Sequence, residues 1–299
     1  MITTTDITKE FKDVKALKGI NITVEQGELF GLIGPDGAGK TTLFRILTSL
    51  LLPTSGTAII NGYNVSKDYK KIRALIGYMP GRFSLYQDLS VEENLNFYAT
   101  IFGTTVKENY DLIRDIYIQI EPFKKRPAGK LSGGMKQKLA LSCALIHKPE
   151  ILILDEPTFG VDAVSRKEFW EMLKKLKARG ITIMVSTPYM DEASLCDRIA
   201  LIQGGEILQV NTPGEIRQSF PKQLLAISTS NIYKLIKDLK DYENSKNVHP
   251  FGMAIHYTDK REIIDPIEIE NYLKSKQHEN ILVKQIEANI EDCFMHLMN

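Results

Sequence analysis

The residues with the clearest chemical potential form a glycine-rich stretch near the amino terminus. Residues 34–41 read GPDGAGKT, which fits the spacing G-x-x-x-x-G-K-[ST], and they stand between an apolar run and a predicted helix. Glycines permit a tight curl with consecutive backbone N–H groups pointing inward, and a helix N-terminus favours negative charge. Lys40 can then reach terminal phosphates while the Thr41 hydroxyl binds Mg²⁺. The stretch predicts a phosphate-binding loop; the alternative is an ordinary glycine-rich turn.

Two adjacent carboxylates, Asp155 and Glu156, follow the apolar residues 151–154. Neighbouring side chains on a strand point in different directions, so one carboxylate can hold a metal ion through water while the next faces the attacking water. We assign Asp155 to Mg²⁺ and Glu156 to the general base. The alternative is a helix N-cap at a strand end. The phosphate loop upstream favours the catalytic interpretation.

A second glycine motif precedes another predicted helix, where residues 131–137 read LSGGMKQ. Ser132 is expected to cap that helix, since serine is a preferred N-cap residue. Gly133 and Gly134 allow backbone amides to approach an anion closely. The motif therefore predicts a second anion-contacting segment.

The elements around these motifs predict an α/β fold. The apolar runs 151–154 and 181–185 are typical of buried strands in a parallel sheet, and residues 164–178 between them have helical periodicity. Residues 1–66 favour strands and turns, and residues 90–125 favour helices. Beyond Phe220 the chain alternates short strands and helices, one of them starting at Asp265-Pro266. We therefore predict a domain over 1–220, with a helical insert at about 82–145, and a small α+β domain over 221–299.

Composition limits the classes of function. Lys and Arg total 38 against 37 Asp and Glu, so the charge of +1 disfavours a dedicated nucleic-acid-binding protein. The three cysteines form no CxxC pair, which disfavours a disulfide framework or a zinc site. No apolar run approaches the ~18 residues that span a bilayer, and the first residues lack a signal-peptide pattern. We expect a cytoplasmic protein that reaches a membrane only through a partner.

The ordered motifs resemble those of ATP-binding cassette (ABC) ATPases: the phosphate loop, an LSGG-type signature, the carboxylate pair, and then Gly160-Val161-Asp162. The resemblance covers residues 1 to about 220. It is closest to the export-type, multidrug-exporter-like subfamily, whose ATPase is a chain separate from the permease and carries a C-terminal extension. It implies a P-loop NTPase (RecA-like) core with an N-terminal antiparallel β subdomain and a helical insert, followed by a small α+β C-terminal domain.

The resemblance also implies a head-to-tail dimer with each ATP held between the phosphate loop of one subunit and the signature of the other. Asp162 then lies at the dimer seam. Phe11 stacks on adenine, the alternative being an ordinary core position. The implied ATP-binding residues are Phe11, Gly34, Pro35, Asp36, Gly37, Ala38, Gly39, Lys40, Thr41 and Thr42. The residues implied to contact the partner's ATP are Ser132, Gly133, Gly134 and Gln137.

Two positions depart from the family pattern. The family places a glutamine that helps coordinate Mg²⁺ where this chain has Gly81, and a histidine that grips the γ-phosphate where it has Pro188. Proline offers neither a side-chain donor nor an N–H; here we expect it at the first position of a helix capped by Thr187. We therefore predict slow hydrolysis at this chain's own site and an asymmetric heterodimer with a second ABC ATPase domain, a homodimer being the alternative.

The family places a permease-docking groove next to the Gly81 position. Phe83, Leu85 and Tyr86 lie there, in a loop where core packing need not bury them, so we expect them to receive a multi-span membrane permease. The alternative for these residues is packing beneath the helical insert. As an exporter's ATPase the chain would lie on the inner face of the cell membrane. Two other functions stay open: a regulatory ATP-binding subunit with little hydrolysis, and a soluble ABC ATPase with no role in transport.

Overall fold

A computed structural model describes residues 1–298 of the chain and divides it into two compact units, Met1–Pro213 and the residues from Gly214 onward. The division falls seven residues before the predicted 220/221 boundary, because the segment after Pro213 packs with the C-terminal residues. The buried Ile216 accepts a hydrogen bond through its carbonyl from the Cys293 thiol, at 3.3 Å. The Phe220 ring lies 5.4 Å from the ring of His296.

The first unit contains two sheets. Its strands are β1 (Ile2–Phe11), β2 (Val14–Val24), β3 (Leu29–Ile33), β4 (Ser55–Ile60), β5 (Tyr63–Asn64), β6 (Ile76–Met79), β7 (Ile151–Asp155), β8 (Thr182–Thr187), β9 (Arg198–Gln203) and β10 (Glu206–Asn211). One sheet is antiparallel with the order β2-β1-β4-β5, and the other has the order β10-β9-β3-β8-β7-β6. In the second sheet, β9, β3, β8, β7 and β6 run parallel and β10 is antiparallel.

The helices of the first unit are α1 (Lys40–Leu47), α2 (Tyr69–Leu75), α3 (Val91–Ile101), α4 (Tyr110–Tyr117), α5 (Gly133–Leu145) and α6 (Ala163–Ala178). Short 3₁₀ helices cover Glu121–Phe123, Ala128–Lys130 and Met190–Leu195. The helical insert begins with a capping box in which Ser90 and Glu93 satisfy each other's backbone N–H groups. Ser132 caps α5 as predicted, since its hydroxyl accepts a hydrogen bond from the Met135 N–H.

Burial explains why the parallel sheet occupies the centre of this unit. All residues of β3, β7 and β8 are buried, which is the pattern of strands covered on both faces. Parallel strands end at a common edge, and ligands in open α/β sheets bind beyond their carboxyl ends. The predicted α/β core, the antiparallel N-terminal sheet and the helical insert are confirmed. The residues of the candidate site lie at this edge of the sheet.

The second unit is a small α+β domain, as predicted. It starts in α7 (Pro213–Gln218) and continues through β11 (Leu224–Ser228), α8 (Ile232–Lys240), β12 (Ser245–Phe251), β13 (Ala254–Asp259), α9 (Pro266–Ser275), β14 (Leu282–Ile286) and α10 (Ile290–Leu297). The strands form one antiparallel sheet in the order β12-β13-β11-β14. Asp265 caps α9 with Pro266 at its first position, which fixes the predicted start of that helix.

Candidate functional site

The phosphate loop joins the end of β3 to α1. Gly39 precedes the helix with φ of +106°, a left-handed conformation that glycine adopts without a Cβ clash. No side chain caps α1, so its first backbone N–H groups have no side-chain acceptor. Such an end attracts anions, because the unpaired N–H groups and the helix dipole both favour negative charge.

Lys40 lies at the base of this loop with 3% of its side chain exposed. Its ammonium donates to the carbonyl oxygens of Gly34 and Pro35, at 2.8 and 2.9 Å. It also lies 3.0 Å from Oε1 of Glu156, whose side chain is 20% exposed. The structure therefore brings the loop lysine and the second predicted carboxylate into direct contact. The next residues of α1, Thr41 and Thr42, are half-buried.

The two carboxylates diverge as their positions at the end of β7 predict. Asp155 is buried and accepts a hydrogen bond from the Ser186 hydroxyl at 2.6 Å, whereas Glu156 faces Lys40. Glu156 has φ of +49°, a sparsely populated backbone conformation for a residue with a side chain. Strain of this kind concentrates at functional sites, where the surrounding bonds maintain it. Burial, with a smaller contribution from Asp155, raises the pKa of the neighbouring Tyr78 to about 12.

One departure lies beside Asp155 and the other beside the phosphate loop. A Cβ added to Gly81 would lie 3.2 Å from the Asp155 carbonyl oxygen and 3.8 Å from its Cγ, so a side chain there would line the site. Pro188 follows Thr187, whose carbonyl accepts a hydrogen bond from the Gly34 N–H at 3.3 Å. Both positions therefore adjoin the site, and neither supplies a polar side-chain group.

The segment at Pro188 differs from the expected helix start. The 3₁₀ helix begins at Met190 and Pro188 lies outside it, so the prediction of a helix with Pro188 at its first position is wrong. The reason is the Thr187 hydroxyl, which accepts from the Tyr189 N–H at 3.0 Å and donates to the Glu192 carboxylate at 2.5 Å. These bonds hold residues 187–189 in a turn before the helix.

The signature segment is accessible. Ser132 and Gly133 are exposed, whereas Gly134 is buried against Ser165. A Cβ added to Gly134 would lie only 2.6 Å from the Ser165 hydroxyl oxygen. Asp162 caps α6 by accepting from the N–H groups of Val164 and Ser165, and these bonds lower the pKa of its exposed carboxyl. The signature and the Asp162 loop thus form adjoining parts of one surface.

Gln137 lies on α5, four residues beyond Gly133, and is half-buried. It lines a groove of 220 Å³ together with Phe83, Leu85 and Tyr98. Leu85 is only 8% exposed, so the expectation that packing does not bury these loop residues is wrong for Leu85. Tyr86 is 50% exposed and packs edge-to-face on Phe97 at 4.8 Å, outside the residues lining the groove.

Phe11 is an exposed aromatic residue at the end of β1. Its side chain is 45% exposed, which excludes the core alternative, and the Lys9 ammonium lies 5.0 Å from its ring centroid. Strand β2, which pairs with β1, packs closely against the phosphate loop. A Cβ added to Gly39 would lie only 2.8 Å from the Ala16 carbonyl oxygen. The turn between β9 and β10 bonds to both regions. The Gly205 N–H donates to the Ala38 carbonyl oxygen at 3.1 Å, and the Gly205 carbonyl oxygen accepts from the backbone N–H of Lys18 at 2.9 Å.

Comparison with known proteins agrees with this geometry. The sequence profile of the family described as "ABC transporter" matches residues 17–159. The chain is 31% identical to the linearmycin resistance ATP-binding protein LnrL of Bacillus subtilis (strain 168), over 99% of this chain and 98% of that protein. The chain belongs to the family of ABC transporter ATP-binding proteins. The resemblance inferred from its motifs is thereby confirmed, and the match to LnrL extends through the C-terminal unit.

Two further members of the family show different coverage. The chain is 41% identical to the probable multidrug ABC transporter ATP-binding protein YbhF of Escherichia coli (strain K12), over 71% of this chain but only 37% of that protein's length. The solved dimeric structure of the ATP-binding cassette MJ0796, bound to ADP and Pi, covers 71% of this chain with a TM-score of 0.65 and 27% identity. The cassette fold of the first unit is thus shared with a nucleotide-bound ABC protein. No helix among residues 1–298 is long and apolar enough to cross a bilayer.

Sequence reasoning missed two buried residues that hold the site together. Ser186 bonds to both carboxylate residues, and Glu192 accepts from Thr158 and Thr187 at 2.8 and 2.5 Å. Neither stands in a motif with the residues it contacts. Ser186 could be found only by knowing that β7 pairs with β8, which sets Asp155 opposite Ser186. We find no local sequence signal for the second.

Proposed function

We propose that this chain is the ATP-binding and ATP-hydrolysing motor subunit of an ABC exporter. The observation that carries the proposal is the contact between Lys40 and Glu156 at the base of the phosphate loop. It joins a phosphate ligand to a general base within one site. The relatives support the class, since YbhF is named as a probable multidrug transporter protein and LnrL as a linearmycin resistance protein.

The residues around the loop divide the work of binding ATP. Backbone N–H groups at the start of α1 and the Lys40 ammonium hold the phosphates, and Phe11 stacks on the adenine ring. Thr41 supplies a hydroxyl and Asp155 a carboxylate, which are the oxygen ligands that Mg²⁺ prefers, so these two residues would hold the ion. When bound, Mg²⁺ neutralises charge on the phosphates. Glu156 orients the attacking water and accepts its proton.

Lys40→Ala tests this assignment. We expect ATP affinity to fall by at least tenfold, because the variant loses a charge-assisted bond to the phosphates. Binding is measured by isothermal titration calorimetry on the full chain. Lys175→Ala, which removes an exposed cation on α6, is the matched control and leaves the affinity unchanged. Unaltered ATP binding by the Lys40 variant contradicts the proposed site.

We further propose that two cassettes close head to tail around ATP. Ser132 and Gly133 are exposed beside Asp162, where a partner's nucleotide can reach them, and Gly134 follows them at the start of α5. The dimeric structure of the MJ0796 cassette supports the pairing of two cassettes. Since Gly81 and Pro188 supply no polar side-chain group, hydrolysis at this chain's own site is slow, and a partner with a complete site makes the dimer asymmetric. Mixing with candidate partner cassettes and measuring ATP turnover tests the heterodimer against the homodimer.

The groove lined by Phe83 and Leu85 is the proposed docking site for a short helix of a membrane permease. Its walls are apolar and aromatic, and they come from both β6 and the helical insert, so occupancy couples these two parts. We expect Phe83→Asp to abolish recovery of the chain with membranes while ATP binding persists. Such docking places the chain on the cytoplasmic face of the membrane.

One observation favours a second candidate function, a regulatory ATP-binding subunit that barely hydrolyses. It is the absence of a polar group at both Gly81 and Pro188, beside an otherwise complete phosphate loop. Turnover that stays near background with every partner cassette, while ATP still binds and closes the dimer, selects this function over the motor.

A further inference from the structure

Ser186 is a fully buried hydroxyl that bonds to both carboxylate residues of the site. Its Oγ lies 2.6 Å from Oδ1 of Asp155 and 3.0 Å from the backbone nitrogen of Glu156. The parallel pairing of β7 and β8 sets Asp155 directly opposite Ser186. One side chain thus reaches the proposed metal ligand and the peptide of the proposed general base.

The chemistry of the donors fixes the direction of these bonds. The Glu156 N–H can only donate, so Oγ accepts from it, and an ionised carboxylate can only accept. The single hydroxyl proton of Ser186 is therefore directed at Oδ1 of Asp155. That bond engages one carboxylate oxygen and leaves the other for a metal ion or its water.

The surroundings make this bond decisive for the orientation of Asp155. A Cβ added to Gly81 would lie 3.8 Å from Cγ of Asp155, but glycine supplies no side chain to orient the carboxylate. The same hydroxyl, with the Ser186 carbonyl at 3.1 Å, holds the Glu156 N–H of a residue in the left-handed region. Loss of the hydroxyl would free the carboxylate to rotate and weaken support for a strained peptide.

We propose that Ser186 is a positioning residue for the metal–nucleotide complex, orienting Asp155 toward Mg²⁺ and fixing the peptide of Glu156. The inference rests on the proposed function, since it requires ATP at the phosphate loop. Groups that orient metal ligands through hydrogen bonds typically contribute 10–100-fold to metal affinity. The role predicts an effect on binding that depends on the metal and is absent without it.

The test compares ATP dissociation constants of the full chain in excess EDTA and in excess MgCl₂. The ratio of the two constants measures how much Mg²⁺ tightens binding. We expect Ser186→Ala to lower this ratio about tenfold while the constant in EDTA stays within about twofold of wild type. Ser186→Thr, which keeps the hydroxyl, restores the ratio. Ser142→Ala is the matched control: Ser142 is equally buried, and its hydroxyl donates to the Lys138 carbonyl on α5.

The outcomes separate the inference from the proposed function. A wild-type ratio in Ser186→Ala, or equal weakening in EDTA and in Mg²⁺, overturns the positioning role. A wild-type protein that binds ATP with no tightening by Mg²⁺ overturns it as well. A wild-type protein that binds no ATP in either condition refutes the proposed function instead. Thermal unfolding of each variant identifies any that fails to fold, and Ser186→Ala decides the question alone if the extra methyl of threonine is not accommodated.

Discussion

Replacing Glu156 with glutamine should tighten ATP binding as well as stop hydrolysis. The Lys40 ammonium has three acceptors: two backbone carbonyls and Oε1 of Glu156 at 3.0 Å. To donate to a phosphate, Lys40 must give up one of them, and the carboxylate binds it most strongly because it is charged. Glu156→Gln keeps the shape and an acceptor oxygen but removes that charge.

The magnitude follows from the geometry. Two unit charges 3.0 Å apart interact by about 5–6 kcal/mol at an effective permittivity of ~20, before desolvation is subtracted. Net contributions of hydrogen bonds to charged groups are about 1.5–3 kcal/mol. Glu156 keeps a fifth of its side chain in solvent, so we take the lower value, about 1.5 kcal/mol. That corresponds to about tenfold tighter ATP binding.

The tighter ATP binding is measured by titration calorimetry in EDTA, at protein concentrations too low for dimerisation. Under these conditions a closed dimer cannot trap the nucleotide and add to the measured affinity. A double-mutant cycle with Lys40→Met then separates release of Lys40 from a general loss of negative charge. If the pair is responsible, Glu156→Gln changes affinity tenfold with Lys40 present and hardly at all without it. An unchanged or weaker affinity of the single variant refutes the competition between carboxylate and phosphate.

Three further predictions address the site and its surroundings. The double variant Gly81→Gln, Pro188→His should hydrolyse ATP about 10²-fold faster or more, because one preorganised donor commonly contributes 10²–10³-fold; a phosphate-release assay checks this, and an unchanged rate with intact binding contradicts the slow-site interpretation. Glu192→Ala removes a carboxylate in a residue only 2% exposed and leaves the hydroxyl protons of Thr158 and Thr187 without their acceptor, so urea denaturation should show a loss of about 2–3 kcal/mol, against little change for the exposed Asp191→Asn. Burial lowers the pKa of His147, so the unfolded chain takes up its proton first and stability should fall as the pH drops below about 6.5; His147→Gln should flatten this dependence in denaturation curves measured from pH 7 to 5.

The parts of the fold that the sequence predicts are those with local causes. Apolar runs located β7 and β8, and cap residues such as Ser132 and Asp265 marked helix starts. The phosphate loop could be recognised because its chemistry depends on consecutive backbone groups. These features depend on residues that are neighbours in the chain.

The parts that escaped prediction depend on residues far apart in the chain. Ser186 matters through strand pairing with Asp155, and Glu192 matters because the fold brings Thr158 beside Thr187. Leu85 was expected to be free of packing, but the walls of the groove come from β6 and the helical insert, whose approach no local pattern encodes. The boundary between the two units lies earlier than predicted for the same reason, since α7 accepts a hydrogen bond from Cys293, near the C-terminus.

The turn between β9 and β10 looks like an ordinary surface loop in the sequence, yet it fastens two sheets to one another. Through the two backbone bonds of Gly205, the first strand hairpin and the phosphate loop share a single anchor. Lengthening that turn by a residue would loosen the β1–β2 hairpin from the phosphate loop. In an insertion scan this loop should therefore tolerate changes about as poorly as a core strand, and engineered tags or circular permutation points belong elsewhere.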